Sequence, residues 1–340
     1  ENRGVLKLEG SVSGSDSSHR FEAGRLDYDL RHRNFTAAGT VSLAGDSISI
    51  SAAEFTREGD AESFRGTPAE FRQDGCYIAA SSLSYDRSTG FLQAAEGVSF
   101  RDGDKTLTAA RLIYHREADS VAVEGSFRLS LPAMDGVATG GDLRYAVRDG
   151  NATLRKGPSF RREREDGSHL SISAQTIAAD LNDAVLDCEG SFQSVSAEAT
   201  VTAKSGLFEH AENRLTLGGD VDFRMRATAD SIVSFVRADS MGVDLEDGKP
   251  AQVHIPDSLS GSIGGGARRI NWISAAGGTL FLREDELESI ELRGGAEVTH
   301  RKLGAEEISR FSGTEMTMEF NDRLMQRIYV RGNAAVVSRI

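Results

Sequence analysis

The chain has 340 residues and a net charge of −13, with 39 lysines and arginines against 52 aspartates and glutamates, which argues against a nucleic-acid partner because no surface concentrates enough cations to neutralise phosphates. A hydrophobic content of 39% is low for a compact enzyme, while 36 glycines and only 5 prolines suit many short strands joined by tight turns. No run of about 18 apolar residues is present, so no segment reads as a membrane-spanning helix.

The elements repeat. Leu26-x-Tyr28 precedes Gly39 by eleven residues, and Phe55 precedes Gly66 by eleven. Leu83-x-Tyr85 and Gly97 are twelve apart, Leu112-x-Tyr114 and Gly125 eleven, and Leu143-x-Tyr145 and Gly157 twelve. Degenerate copies follow at Ala179 with Gly190 and Phe208 with Gly219, then at Leu280-x-Leu282 with Gly294 and Met318-x-Phe320 with Gly332. From Gly39 to Gly219 the closing glycines keep a period of roughly 27 to 33 residues.

Inside each copy the apolar residues alternate. Ala110, Leu112 and Tyr114 fall on one face of their strand, and after the turn "HREADS" Val121, Val123, Phe127 and Leu129 share one face of the next. Period two means half-buried strand. The polar segments "DRSTG", "READS", "RDGN" and "LNDA" have the length and composition of hairpin turns. Each copy is therefore strand, turn, strand, with a glycine where the second strand bends. "REDELESIEL" has helical propensity, but its place in the repeat predicts strand–turn–strand. The region 230–275 breaks phase and predicts an irregular loop or lid. About ten such units, on the order of twenty strands, make the chain all-β, an elongated sandwich or jellyroll of antiparallel hairpin repeats whose stability comes from stacking neighbours.

The phrase "FRGTPAEFRQ" at 64–73 places Gly66, Pro68, Ala69 and Phe71 in the pattern G-x-P-A-x-F, and the following segment runs A-x-x-L-x-Y-D, turn, strand, Gly, strand. Over residues 24–129, and more diffusely to about 220, this resembles the OstA/LptA-like family of periplasmic lipopolysaccharide transport. The resemblance implies a jellyroll slightly open along one side, with acyl chains in its apolar interior and exposed edge strands joining molecules end to end. It implies, as ligand, lipopolysaccharide or a related acylated lipid and, as partners, LptC-like and LptD-like jellyroll components or further copies of the chain. It also implies a periplasmic location. The chain begins at Glu1 with neither Met nor an apolar leader, the pattern of a mature or trimmed segment whose signal peptide or anchor lies upstream. The family's bridge protein is about half this length. The chain thus reads as a module over 1–160 and, over 161–340, a second degenerate module or a continuation of the first.

No catalytic constellation is found. The histidines His19, His32, His115, His169, His210, His254 and His300 are scattered without metal-ligand spacing, and "GSVSG" at 10–14 has Val where a nucleophile would stand. "GSIGGG" at 261–266 reads as a flexible loop and "RRER" at 161–164 as a solvated turn. Arg65 and Arg72 read as solvated strand ends, contact with a phosphate being the other reading. Cys76 and Cys188 fit either a disulfide or two buried thiols. No cofactor or metal is expected. The candidate site is the inward stripe Leu83, Tyr85, Leu112, Tyr114, Val121, Val123, Phe127, Leu143 and Tyr145, lining a lipid groove. For each of these residues plain core is the competing reading. The function expected is a non-catalytic lipid-carrying bridge between inner and outer membranes. The alternatives are a structural or adhesive surface protein with a filled core, and a β-helix acting on or binding polysaccharide, which the single tryptophan, Trp272, disfavours.

Overall fold

Short alternating runs become strands because one face of each has apolar side chains to bury and the other has none. The computed structural model describes residues 4–15, 19–45, 47–225, 234–265, 269–283, 286–302, 308–321 and 324–339. They form 26 strands with antiparallel pairing, and their only helical residues are the 3-10 turn Pro132–Met134. The chain divides into two units, Glu1–Pro158 with Asp180–Asn182, and Ser159–Ala179 with Asp183–Ile340.

The first unit runs β1 (Val5–Ser15), β2 (His19–Asp29), β3 (Asn34–Gly45), β4 (Ile48–Glu58), β5 (Ala61–Gln73), β6 (Cys76–Asp86), β7 (Phe91–Asp102), β8 (Lys105–His115), β9 (Ser120–Leu131), β10 (Gly136–Ala146) and β11 (Asn151–Arg155). From β1 to β10 each strand pairs with the next, and every one of these pairs has a register shift near its middle, such as Ala95/Val98 between β7 and β8. The shift bends the strand and divides it between two rows. One row holds the half-strands at 69–73, 76–80, 98–102, 105–109 and 127–131, and the other holds 61–65, 82–86, 91–95, 111–115 and 120–124.

Two ring contacts show that the rows face each other. Phe71 lies 6.0 Å from Tyr114 and Phe100 lies 6.3 Å from Tyr145, in each case three strands apart along the chain. Three strands side by side would separate such rings by roughly 14 Å. The Tyr145 hydroxyl also donates across the rows to the Asp102 carboxylate. The interior between them is apolar, and from β7 to β10 inward side chains such as Leu92, Phe100, Leu112 and Leu143 are at most 1% exposed.

The bend explains the Tyr-to-Gly spacing. Gly125 sits at φ 106°, and a Cβ there would meet nothing within 4 Å, so only the backbone conformation demands glycine. Gly66 differs: it carries no positive φ, but a Cβ would stand 2.7 Å from the Pro68 carbonyl oxygen, so close backbone approach at the Thr67–Pro68 cis bond excludes a side chain. The bend also corrects the expected face of Ala110. Leu107 and Leu112 are buried while Ala110 is exposed, because the irregularity between Ala109 and Ile113 advances the alternation by one residue.

The second unit runs β12 (Ser159–Glu163), β13 (His169–Ser173), β14 (Thr176–Asp180), β15 (Val185–Val195), β16 (Ala199–Glu209), β17 (Arg214–Met225), β18 (Ser234–Glu246), β19 (Lys249–Ile255), β20 (Leu259–Gly265), β21 (Arg269–Ala275), β22 (Gly277–Arg283), β23 (Glu286–Lys302), β24 (Ile308–Asn321), β25 (Leu324–Arg331) and β26 (Ala335–Arg339). The described part of 230–275, expected as a loop or lid, is four strands, and "GSIGGG" contributes to β20 up to Gly265. The period is lost there because single long strands are replaced by pairs of short ones: β18 pairs with β19 along one half and with β20 along the other. "REDELESIEL" lies at the β22–β23 hairpin, residues 284–285 being outside the described set.

The "RRER" cluster is also corrected. Arg164 is buried, its Nη1 2.9 and 3.0 Å from the two Glu198 oxygens, and its Nη2 donates to the Gly248 carbonyl. Desolvation makes a buried guanidinium costly unless it is paired, and here one carboxylate and one carbonyl pair it. Cys76 and Cys188 are free and buried, and burial pushes each thiol up to about 12.

Candidate functional site

The interior of the first unit is not equally filled along its length. Eight of the nine candidate residues, Leu83, Leu112, Tyr114, Val121, Val123, Phe127, Leu143 and Tyr145, are at most 4% exposed. Tyr114 and Tyr145 donate to Asp119 and Asp102, and burial together with these carboxylate acceptors raises both phenols. Tyr85, the ninth, is half-buried and lines a cavity toward the N-terminal end.

That cavity has a volume of about 610 Å³ and lies between the two rows where β1 to β4 form the walls. Phe21, Leu43, Ile48, Ile50 and Phe71 come from one row, and Leu26, Tyr28, Phe35 and Phe55 from the other. Phe35 meets Phe55 edge-on at 4.9 Å, and Phe21 reaches Phe35 across the rows at 5.9 Å. Phe21, Leu26, Tyr28, Phe35, Leu43 and Ile48 are all half-buried, apolar surface that the other described residues do not fully cover. The inward positions nearest the bend are Ala23, Ala37 and Val41, and β1 offers Gly14 to this space. Beyond the mouth, β1 pairs with β2 along one side and leaves Val5, Leu6 and Leu8 at 46%, 46% and 39% exposure.

One end of the cavity is charged. Arg57 closes β4, and Arg87 and Arg116 stand in the turns after β6 and β8; all three line the cavity with Glu62. Glu62 is 5% exposed, and Arg87 lies 3.5 Å from it. Arg57 Nε donates to the Gly59 carbonyl at 3.3 Å. Arg116 is half-buried, and its guanidinium has no hydrogen-bond or ion-pair partner among the described residues.

The family phrase has mixed fates. Phe71 lines the cavity, Ala69 is buried in the same row, and Gly66 makes the tight approach to Pro68. Arg65 is exposed, and Arg72 pairs with Glu70 at 3.2 Å and stacks on Tyr77; neither lines the cavity. The three cavity arginines escaped the sequence reading because they are far apart in the chain, one at the end of a strand and two in different hairpin turns. Their one signal is recurrence, an arginine ending or following the strand of three successive hairpins.

No group of three or more His, Cys, Asp or Glu among the described residues is disposed to hold a metal ion. No helix among them is long and apolar enough to cross a membrane. No family model matches the chain, and no curated protein sequence does. Among solved structures, the chain is similar to LptH from Pseudomonas aeruginosa, described as the LptA homologous periplasmic component of the conserved lipopolysaccharide transport device. The similarity has a TM-score of 0.30 and 14% identity over 30% of this chain and 79% of that one. Likeness at this level identifies neither ligand nor partner.

Proposed function

We propose that the protein is a non-catalytic carrier of acylated lipid, holding hydrocarbon chains in the cavity between the rows at β1 to β4. The observation that supports this reading is a largely apolar cavity of about 610 Å³ between the rows of the first unit. The volume lies within the roughly 300–1,000 Å³ typical of small-molecule sites. Each methylene buried there contributes about 0.8 kcal/mol, so chain length alone gives affinity without a tailored contact. On this reading Tyr85 and Phe71 are lipid-lining residues, and the deeper stripe from Leu83 to Tyr145 continues the apolar path only when the rows separate.

Transport of lipopolysaccharide-type lipid in the periplasm, between jellyroll partners docked through edge strands, is the finer form of the proposal. It draws on the G-x-P-A-x-F phrase and on the exposed apolar residues of terminal strands: Val5, Leu6 and Leu8 on β1, Val336 and Val337 on β26. The test is native mass spectrometry of the full chain after exposure to lipopolysaccharide or diacyl phospholipid, with Leu43→Trp as the cavity-filling variant. Lipid adducts on the wild type that disappear in Leu43→Trp support the carrier. A wild type that takes up neither lipid sinks it and leaves the filled-core structural protein standing.

A further inference from the structure

We infer that the charged end of the cavity is a clamp for an anionic headgroup, in which Arg57, Arg87 and Arg116 hold the phosphate or carboxylate of the amphiphile whose chains lie behind them. The inference rests on the carrier reading above and adds the charge of the head and the place where it sits.

The three cations are brought together by the stacking of hairpin turns. The Arg87 amide donates to the Asp60 carbonyl and the Arg116 amide to the Gly90 carbonyl, each at 3.1 Å, so successive turns stay in fixed register at the rim. Several arginines elsewhere in this protein are matched to a carboxylate: Arg25 with Asp27, Arg72 with Glu70, Arg164 with Glu198, Arg224 with Asp222. At the cavity, by contrast, three guanidinium groups meet one wall carboxylate, Glu62. Asp86, in the Arg87 turn, is occupied by the Ser88 hydroxyl and the amides of Ser88 and Thr89, bonds that hold its carboxyl below the usual range.

A half-buried guanidinium with no counter-ion among the described residues, set against apolar surface, is an incomplete site. A headgroup oxygen completes it, since the planar fork of arginine donates two parallel bonds to phosphate or carboxylate. The facing row offers Leu43, Ile48, Ile50 and Phe71 and no cation, so the head has one wall to bind. The overall charge of −13 sharpens the contrast: an anionic amphiphile is repelled by most of the surface and attracted at this rim.

The experiment is calorimetric titration of the full chain with dodecyl phosphate, with dodecyltrimethylammonium, both below micelle formation, and with inorganic phosphate. Wild type is compared with Arg116→Gln, with the triple change Arg57→Gln, Arg87→Gln, Arg116→Gln, and with Leu43→Trp, each checked for native circular dichroism. The expected result is a preference of about tenfold or more for the phosphate amphiphile. Arg116→Gln reduces that preference, the triple variant erases it without weakening the cationic amphiphile, and inorganic phosphate alone gives no heat. Equal affinities in the wild type, or a preference that survives the triple variant, overturn the clamp while the cavity stands. Inorganic phosphate binding as tightly as dodecyl phosphate overturns the lipid headgroup and makes the rim a free-phosphate site. If neither amphiphile binds, or if Leu43→Trp changes nothing, the carrier reading fails first and the clamp with it.

Discussion

Leu26 and Leu83 occupy the same place in the repeated phrase Leu-x-Tyr, lie in the same row, and differ in what surrounds them. Leu83 is 0% exposed, whereas Leu26 is half-buried and lines the cavity. Truncation of each to alanine removes the same atoms. At Leu83 the loss comprises the transfer free energy of the side chain and a new void in packed surroundings, about 2–5 kcal/mol. At Leu26 the void already exists and the side chain is partly in water, so only part of the transfer free energy is lost, about 1 kcal/mol or less. Near the midpoint of thermal unfolding, 1 kcal/mol shifts a domain of this unit's size by roughly 2–4 °C. Leu83→Ala therefore lowers the midpoint by about 4–20 °C and Leu26→Ala by about 4 °C or less. The assay is thermal and urea unfolding read in two channels. Five of the six tyrosines belong to the first unit, and Trp272 to the second, so near-ultraviolet dichroism at tyrosine wavelengths and tryptophan fluorescence follow the units separately. Equal losses at the two leucines would refute the reasoning, because they would mean that the interior at β2 is as filled as at β6.

Two further outcomes follow from the buried polar groups. In the second unit, burial acts to raise the Glu198 carboxyl, but hydrogen bonds from Ser196 and Arg164 outweigh it and hold the group below its ordinary value of 4.5. Its folded-state pKa is depressed, so the stabilisation is present above 4.5 and is lost as pH falls through the folded value. Trp272-monitored urea unfolding of the wild type is expected to weaken across that window, and Glu198→Gln is expected to remove this component while costing about 3–5 kcal/mol at neutral pH, because Arg164 is left buried without its carboxylate. A pH profile unchanged by the substitution counts against the pairing. Cys76 and Cys188, buried and with thiols pushed up to about 12, are expected to resist a thiol reagent at neutral pH in the native state and both to react in urea. Rapid labelling of the folded protein would contradict their burial.

Much of the architecture was legible because its rules are local. The spacing from Tyr114 to Gly125 is the length of one strand end, a turn and half a strand, and it located the bend at a residue with positive φ. The phase of the alternation was not legible at Ala110, where the strand irregularity shifts it, since nothing in "LTAARLIY" marks the extra residue. The cavity was hidden for a different reason. Leu26-x-Tyr28 and Leu83-x-Tyr85 read alike, and whether the space beside them is filled depends on facing residues such as Phe21, Leu43 and Gly14, contributed by other half-strands. Arg164 was misread because its carboxylate and carbonyl partners lie 34 and 84 residues away, beyond any charge pattern a short window can reveal.

The stacked turns of the first unit also bear on how such a chain changes its length. Amides of Arg87, Arg116, Val147 and Leu181 each bond the carbonyl of the turn before, at Asp60, Gly90, Asp119 and Gly150, and each strand from β1 to β10 pairs with its sequence neighbour. Successive strands cross the bend in opposite directions, so a duplicated segment of two strands restores direction, facing pattern and turn ladder together. A duplicated single strand inverts all three. Gene-level growth or loss of whole hairpins, about 27–33 residues at a step, is therefore the change this architecture accommodates without rewriting the residues on either side.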